Sequence, residues 1–274
     1  MPEGPECHTI GNSLNRILSG SRLLHFQVHG GRYQKHGNPT GWEDMVQDLI
    51  TRPVMISNVE VKGKLICWNF SNNMHMLNTL GMSGTWRKNE SKHCDFSIIF
   101  QKEGKRIKLW FKDQRHFGTI KFVYRSEYEQ KLSQIGPDVL TDEFTKEHWF
   151  GLCRKYPKWT LPKLLMYQKN LSGIGNYLKC EILYKARVSP HREMESLTIE
   201  EKDDLYKFIR LIPHMSLKRN GVSLRDYAAP DGSEGEYQFA LQVYSKAKDP
   251  EGHKVIREVT NDKRTTHWVP NVQK

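Results

Sequence analysis

The sequence predicts an α+β protein. An N-terminal helix plus an antiparallel β-sandwich domain comes first, then a helical helix–two-turn–helix domain ending in a β-hairpin finger without zinc. Three observations predict it. Short β-type runs bounded by turn residues recur from residue 22 to residue 124. Helical periodicity takes over from residue 142. The last β-type pair flanks Asn261-Asp262-Lys263, and no cysteine follows Cys180, which excludes a C-terminal zinc ribbon.

In chain order, residues 4–18 put Cys7, Ile10, Leu14, Ile17 and Leu18 on one helical face, and Ser19-Gly20 stops that helix. Residues 22–29 form a strand, and Gly30-Gly31-Arg32-Tyr33 a loop that carries an arginine. Residues 54–61 and 64–70 are strands joined by Lys62-Gly63, a hairpin with lysines at its turn. Strands over 74–80, 96–101, 107–111 and 119–124 complete the β-rich half. Gly136-Pro137-Asp138 marks the domain boundary. Helices follow over 142–153, 160–168 and 176–186, with a turn over 169–175. Thr198-Ile199-Glu200-Glu201 fits a capping box opening a helix to Ile212, where Pro213 marks the end. Residues 220–238, rich in Gly, Asp and Ser, form a mobile loop, and residues 253–260 and 264–269 pair as a hairpin. The expected division is a β-rich domain over 1–135, a linker over 136–145, a helical domain over 146–252 and a terminal hairpin over 253–274.

The 274 residues allow one large domain or two of ordinary size. With 37% hydrophobic and 27% charged residues the chain is globular and soluble. A net charge of +11 and a pI near 9.3 point to a polyanionic partner, nucleic acid ahead of an anionic membrane. Cys7, Cys67, Cys94, Cys153 and Cys180 are scattered without a CxxC pair, which predicts reduced thiols in an intracellular protein. No apolar run approaches the ~18 residues of a membrane span, and no secretory signal precedes Pro2.

Met1-Pro2-Glu3-Gly4-Pro5-Glu6 is the stretch with the most chemistry in it. Removal of Met1 leaves a secondary amine that ionises well below a lysine, so a usable fraction is neutral at neutral pH. Such an amine attacks an aldehyde-like carbon and forms an iminium. Glu3 and Glu6 lie within one helical turn and can carry protons. The plainer alternative is that Pro5 and the acids only start a helix. The turn Leu171-Ser172-Gly173-Ile174-Gly175-Asn176 lets backbone approach a ligand and offers free amides to a phosphate. In Leu80-Gly81-Met82-Ser83-Gly84 a soft side chain on a loop can wedge into a base stack. Asp113-Gln114-Arg115-His116-Phe117-Gly118 adds an arginine and an aromatic, so Met82, Arg115 and Phe117 can fill the hole left by an extruded base. Their plainer readings are core for Met82 and Phe117 and a surface pair for Arg115. Lys263 and Arg264, at the hairpin tip, can reach phosphates.

With Lys64 on its hairpin, these motifs stand in one order, and in that order the whole chain resembles the formamidopyrimidine-DNA glycosylase/endonuclease VIII family of base-excision repair enzymes. Among these it resembles the endonuclease VIII-like members with a zincless finger. The resemblance implies a DNA glycosylase and AP lyase that needs neither metal nor cofactor. It implies that Pro2 is the nucleophile attacking C1′ of the damaged nucleotide and Glu3 the acid that assists sugar ring opening. Glu6 would help at the same catalytic site, and Lys64 would contact phosphate beside the lesion. Asn176 and Arg264 would be paired phosphate clamps, Met82, Arg115 and Phe117 the void-filling trio, and Arg32 a further backbone contact. The iminium acidifies the 2′ proton, so β- and then δ-elimination cut the strand.

The chain departs from the family in two places. The usual four-cysteine zinc finger is absent, so the hairpin must hold Arg264 by packing, through Val255, Ile256 and Trp268. His253 and His267 without thiolates make a poor zinc site. Leu178 stands where many members have a tyrosine, so a phosphate contact is moved to Tyr177 or lost. The Gly4-Pro5-Glu6 sequence resembles the endonuclease VIII side, which implies oxidised pyrimidines, hydantoins and ring-opened purines as substrates. The 220–238 loop resembles the formamidopyrimidine side, and 8-oxoguanine is the alternative it carries. The expected partner is double-stranded DNA with oxidised bases or abasic sites, with single-stranded DNA a further candidate. The protein is expected to be a monomer in a nucleus, nucleoid or viral replication site, not at a membrane and not secreted. Two other classes compete. A non-catalytic DNA-binding relative would bind without cutting, and a small-molecule enzyme using an N-terminal proline as a base would show no steep salt dependence.

Overall fold

Helix α1 (Gly4–Leu18) forms where the apolar spacing places it. Cys7, Ile10, Leu14 and Leu18 are buried, and Ile17 packs at the edge of the same core. The helix start is tied by the Glu6 carboxylate, which accepts from the Glu3 amide at 2.7 Å. The computed structural model describes residues 2–222, 230 and 235–274.

Eight antiparallel strands follow: β1 (Arg22–Val28), β2 (Val54–Lys62), β3 (Leu65–Phe70), β4 (Met74–Thr79), β5 (Thr85–Arg87), β6 (Cys94–Lys102), β7 (Lys105–Lys112) and β8 (Thr119–Tyr124). Their order is β5-β7-β6-β1-β2-β3-β4-β8. Between β1 and β2 only Arg22–Met55 and Leu23–Val54 pair. The sheet folds over at this narrow joint, so its two halves face each other. Trp68 on β3 therefore meets Trp86 and Phe100 of the other half, with ring centroids 5.0 and 6.1 Å apart. This is the sandwich core, and α1 lies against β2 and β3 at its edge.

Three helices in this half were not anticipated. Arg32 lies on α2 (Gly31–His36), not in a loop. Helix α3 (Trp42–Thr51) covers β1 and β8, and α4 (Arg125–Ser133) covers the outer face of β4 and β8 through Tyr128.

The second half is helical: α5 (Lys146–Lys155), α6 (Leu161–Met166), α7 (Asn176–Lys185) and α8 (Ile199–Lys218). Helix α5 starts later than residue 142 because Thr145 caps it, its hydroxyl accepting from the His148 amide at 3.1 Å. The Thr198/Glu201 capping box opens α8 as expected. The helix does not end at Pro213; it runs on to Lys218. Pro213 has no amide to offer the Ile209 carbonyl one turn back, and in the same turn the ring of His214 donates to the Arg210 carbonyl at 2.7 Å. Of the 220–238 loop, residues 223–229 and 231–234 lie outside the described residues. Its base is closed by the Tyr237 amide, which donates to the Gly221 carbonyl at 2.9 Å.

The finger is a two-stranded ribbon, β9 (Ile256–Val259) with β10 (Thr265–Trp268), in the register Thr265–Val259 to Trp268–Ile256. Val255 and Val269 pack on Cys180 and Tyr184 of α7 together with Val243. The expectation that Ile256 helps is corrected. A ribbon has one face on the body and one in solvent, and Ile256, 37% exposed, lies on the second. Trp268 is half-buried, its Nε1 donating to Glu258. His253 and His267 do not converge. His253 meets Asp249 at 3.1 Å, whereas Nδ1 of His267 accepts the Ser245 amide at 2.8 Å.

Candidate active site and DNA interface

The 172–175 turn is where the two halves meet. The Gly4 amide donates to the Gly173 carbonyl at 2.8 Å. Glu3 then enters the open start of α7. Its carboxylate accepts the amides of Gly175 at 2.7 Å, Tyr177 at 2.9 Å and Leu178 at 3.3 Å. These are amides a helix start leaves unpaired, and the helix dipole favours an anion there. Gly175 makes the room: a Cβ on it would lie 2.3 Å from the Glu3 carboxyl carbon. Glu3 is 1% exposed. Burial pushes its carboxyl up to about 7, against the pull of Lys64 and the Tyr177 and Leu178 amides, while neighbouring Glu6 adds to the rise. An acid so placed exchanges a proton near neutral pH.

Pro2 is buried beside it. Glu6, also buried, accepts from Tyr177 Oη at 2.9 Å and from the Val222 amide at 2.7 Å. Burial raises its carboxyl as well, against those bonds. Glu6 thus holds α1, α7 and the base of the 220–238 loop together. The Tyr177 hydroxyl also bonds Ser216 Oγ at 2.9 Å, so Tyr177 points inward and is not the displaced phosphate contact. Leu178, fully buried, offers none.

Lys64 sits on the two-residue turn between β2 and β3, where Gly63 adopts a φ of 60°. Burial lowers the lysine, Glu3, Cys7 and Glu6 oppose that, and Arg264 adds to it. Lys64 therefore shares one electrostatic field with Glu3 on one side and the finger on the other. Its turn is fixed by Asp138, which is 1% exposed. Asp138 Oδ2 accepts the Gly63 amide at 2.6 Å and His8 Nε2 at 2.7 Å, and Oδ1 accepts the Leu140 amide at 2.9 Å. Read from the sequence only as a boundary residue, Asp138 is the knot between the halves. An acid within a Gly-Pro-Asp turn was the available signal.

Asn176 opens α7, and its side-chain amide donates to the Thr265 carbonyl at 2.8 Å. Arg264, the residue before, is exposed. Asn176 thus ties the start of α7 to the strand that follows Arg264, and Lys64 feels the charges of both Arg264 and Glu3.

The second cluster is built on Asp113, fully buried. Its Oδ1 accepts Ser83 Oγ at 2.6 Å and the Arg115 amide at 3.2 Å, and its Oδ2 accepts the Gly118 amide at 2.6 Å. One carboxylate thereby binds the Met82 loop to the Arg115–Phe117 loop. His116, at a φ of 56°, is held by Asp95 at 2.6 Å. Phe117 is 60% exposed, which rules out the core reading for it. Arg115 is exposed and Met82 half-buried. Arg32 follows Gly31, which packs on Asp95, so it stands beside this loop and not among the Glu3 partners.

Comparison with known proteins places these features. Residues 1–120 match the formamidopyrimidine-DNA glycosylase N-terminal domain, residues 135–228 its H2TH domain and residues 230–274 its C-terminal domain. A formamidopyrimidine-DNA glycosylase of Salmonella dublin is 30% identical over 257 residues, 91% of this chain and 90% of that protein. One from Thermus thermophilus is 29% identical over 280 residues, 100% of this chain and 98% of the other. The crystal structure of the MutM (Fpg) protein of Thermus thermophilus superposes with a TM-score of 0.85 at 27% identity, over 99% of this chain and 98% of that one. A Lactococcus lactis FPG mutant in complex with Fapy-dG containing DNA gives 0.86 at 25% identity, over 100% of both chains.

Proposed function

The chain belongs to the formamidopyrimidine-DNA glycosylase family, DNA glycosylases of base-excision repair, and on that premise we propose that it is a bifunctional glycosylase and AP lyase working through Pro2. With Met1 removed, the Pro2 nitrogen attacks C1′ and the damaged base leaves with a proton. Glu3 assists by protonating the ring oxygen as the sugar opens. The iminium formed between Pro2 and C1′ draws electrons, a base takes the 2′ proton, and the 3′ phosphate departs. A second elimination releases the 5′ phosphate, and water frees the amine. No external oxidant or reductant enters.

The observation that carries this reading is Glu3, pinned by three amides across the seam next to Pro2, with its carboxyl near 7. Lys64, Asn176 and Arg264 would hold phosphates around the flipped nucleotide, with Arg32 a further contact. Met82, Arg115 and Phe117 would fill the vacated stack, and Glu6 would keep the seam in register. DNA is the partner, as complexes of structural relatives with lesion-containing DNA support. For substrates we propose oxidised pyrimidines, hydantoins and ring-opened purines. The Gly4-Pro5-Glu6 sequence supports this class, and the Lactococcus lactis complex supports ring-opened purines within it. The finger is proposed to work without zinc, since residues after Cys180 offer no thiolate and His267 Nδ1 is already bonded. The domain division is proposed as 1–135, 136–145, 146–252 and 253–274.

Borohydride trapping on a duplex with an abasic site, followed by mass spectrometry, tests the reading. An adduct on the Pro2 peptide is expected, sharply reduced in Pro2→Gly. Mature protein that binds this DNA yet gives no adduct would overturn the enzyme reading in favour of a non-catalytic binder.

A further inference from the structure

Helix α7 is buried on every side: all residues from Tyr177 to Tyr184 are enclosed. Two of them, Lys179 and Glu181, are charged, and a buried charge persists only with a partner. Glu181 takes the amides of Gln242, Val243 and Tyr244 at 2.9, 3.0 and 2.8 Å, which docks the segment leading into the finger. Two residues earlier Lys179, fully buried, meets Asp262 at the finger tip, Nζ to Oδ2 2.7 Å, with the Asp262 side chain 2% exposed. Asp262 Oδ1 in turn accepts Thr260 Oγ1 at 2.6 Å and the Arg264 amide at 3.4 Å. The Arg264 carbonyl accepts the Thr260 amide at 3.1 Å. Arg264 is therefore the exposed member of a turn organised on one buried carboxylate.

We propose that the buried Lys179–Asp262 ion pair is the positioning device of this finger: it pins the tip to α7 and so aims Arg264 at the phosphate. The proposal rests on the reading of Arg264 as a phosphate contact. The body of the ribbon has its own attachments, namely Val255 and Val269 on Cys180 and Tyr184, and the His267 amide on Cys180 Sγ at 3.3 Å. The tip has the ion pair and the Asn176 contact to Thr265. In a finger with no cysteine after Cys180, the pair does at the tip what thiolates on a metal do elsewhere. Because Asn176 and Lys179 belong to the same turn of α7 whose start holds Glu3, the pin also places Arg264 relative to the proton-carrying acid.

The test is equilibrium binding to a duplex with a tetrahydrofuran abasic analogue across a series of KCl concentrations. The proteins compared are wild type, Arg264→Ala, Lys179→Met/Asp262→Asn and the triple variant. The double variant removes both buried charges together, and the amide introduced by Asp262→Asn can still accept from Thr260 and Arg264, so the fold is kept; thermal unfolding checks this. Arg264→Ala should make the log-affinity against log-salt slope shallower by about one. The double variant should do the same, and adding Arg264→Ala to it should change nothing further. Lys179→Arg, which keeps the pair, should restore the wild-type slope. A double variant with the wild-type slope, or one in which Arg264→Ala still removes a full contact, overturns the pin. A wild-type slope in Arg264→Ala alone overturns the phosphate reading of Arg264 and the pin with it. If the double variant unfolds, Asp262→Asn with and without Arg264→Ala supplies the same comparison.

Discussion

Glu3 is asked to do two things that conflict. It must be buried to close the start of α7, and under the proposed mechanism it must carry a proton for the sugar. Its carboxyl near 7 is the result. The folded value lies above the unfolded one, so folding favours the protonated form. The stability this group lends is complete below its unfolded value and is lost as pH rises through about 7. Scaled from the shift, the loss at Glu3 is about 3 kcal/mol. Thermal stability of the wild type should therefore fall between pH 5 and 8, and Glu3→Gln should flatten that fall. On the proposed mechanism the same titration sets the chemistry: protonated Glu3 is the acid, so kcat/KM for base excision should decline as pH passes about 7. Glu3→Gln should lose about a hundredfold or more in single-turnover excision and lack that limb. A Glu3→Gln enzyme with the wild-type limb would remove Glu3 from the proton path.

At the scale of elements, the site depends on turns that bring backbones together. Gly175→Ala would set a methyl group 2.3 Å from the Glu3 carboxyl carbon, with no room to yield, since α7 is packed behind it. The carboxylate must leave the helix start. Excision should fall at least as far as in Glu3→Gln, while DNA binding through Lys64 and Arg264 persists; unchanged excision would show the cap to be dispensable. Asp113→Ala would release the Met82 loop from the Arg115–Phe117 loop and leave the buried Gly118 amide unpaired, at about 1–3 kcal/mol. Flipping is least costly where the base is already missing. Excision of a paired lesion should thus drop at least about tenfold more than cleavage at a preformed abasic site, and equal losses in the two assays would sever these loops from flipping.

The same scale shows what the sequence could and could not reveal. Helix α1, the Lys64 hairpin, α7 and the finger strands were legible because local spacing and turn residues specify them. Helix α4 was not, because Arg125–Ser133 is polar nearly all round and has no apolar stripe to detect. Strand β5, three residues long, is too short to show a period. The continuation of α8 past Pro213 overrides proline's local preference, with Pro213 and Ser216 both buried in the fold, and no propensity contains that burial. Glu3 stands out by its spacing from Pro2 and Glu6, whereas the role of Asn176 comes from the family resemblance. Asp138, Asp113 and Lys179 were missed because their partners lie far along the chain: 130 residues for His8, 30 for Ser83 and 83 for Asp262.

Across the whole molecule the charge is sorted by depth. Among the described residues, seven acids are buried as whole residues (Glu3, Glu6, Asp95, Asp113, Asp138, Glu181 and Asp249) and the Asp262 side chain is an eighth buried carboxylate, against Lys179 alone among lysines and arginines. Backbone amides meet most of these acids, so their charge is satisfied inside the protein. The surface offered to a partner is consequently more positive than the net +11. On duplex DNA each phosphate neutralised releases counterions, with a slope near 0.9 per contact. On the proposed reading Lys64, Arg264 and Arg32 would supply three such contacts. Affinity for an abasic-analogue duplex should therefore drop by about 40-fold or more between roughly 50 and 200 mM KCl. A single strand of equal length should fall less steeply, near 0.7 per contact. A proline-based enzyme for small neutral substrates would show nearly flat binding over the same range. That result would mean the buried acids only balance an interior, and that the basic surface has no part in recognition.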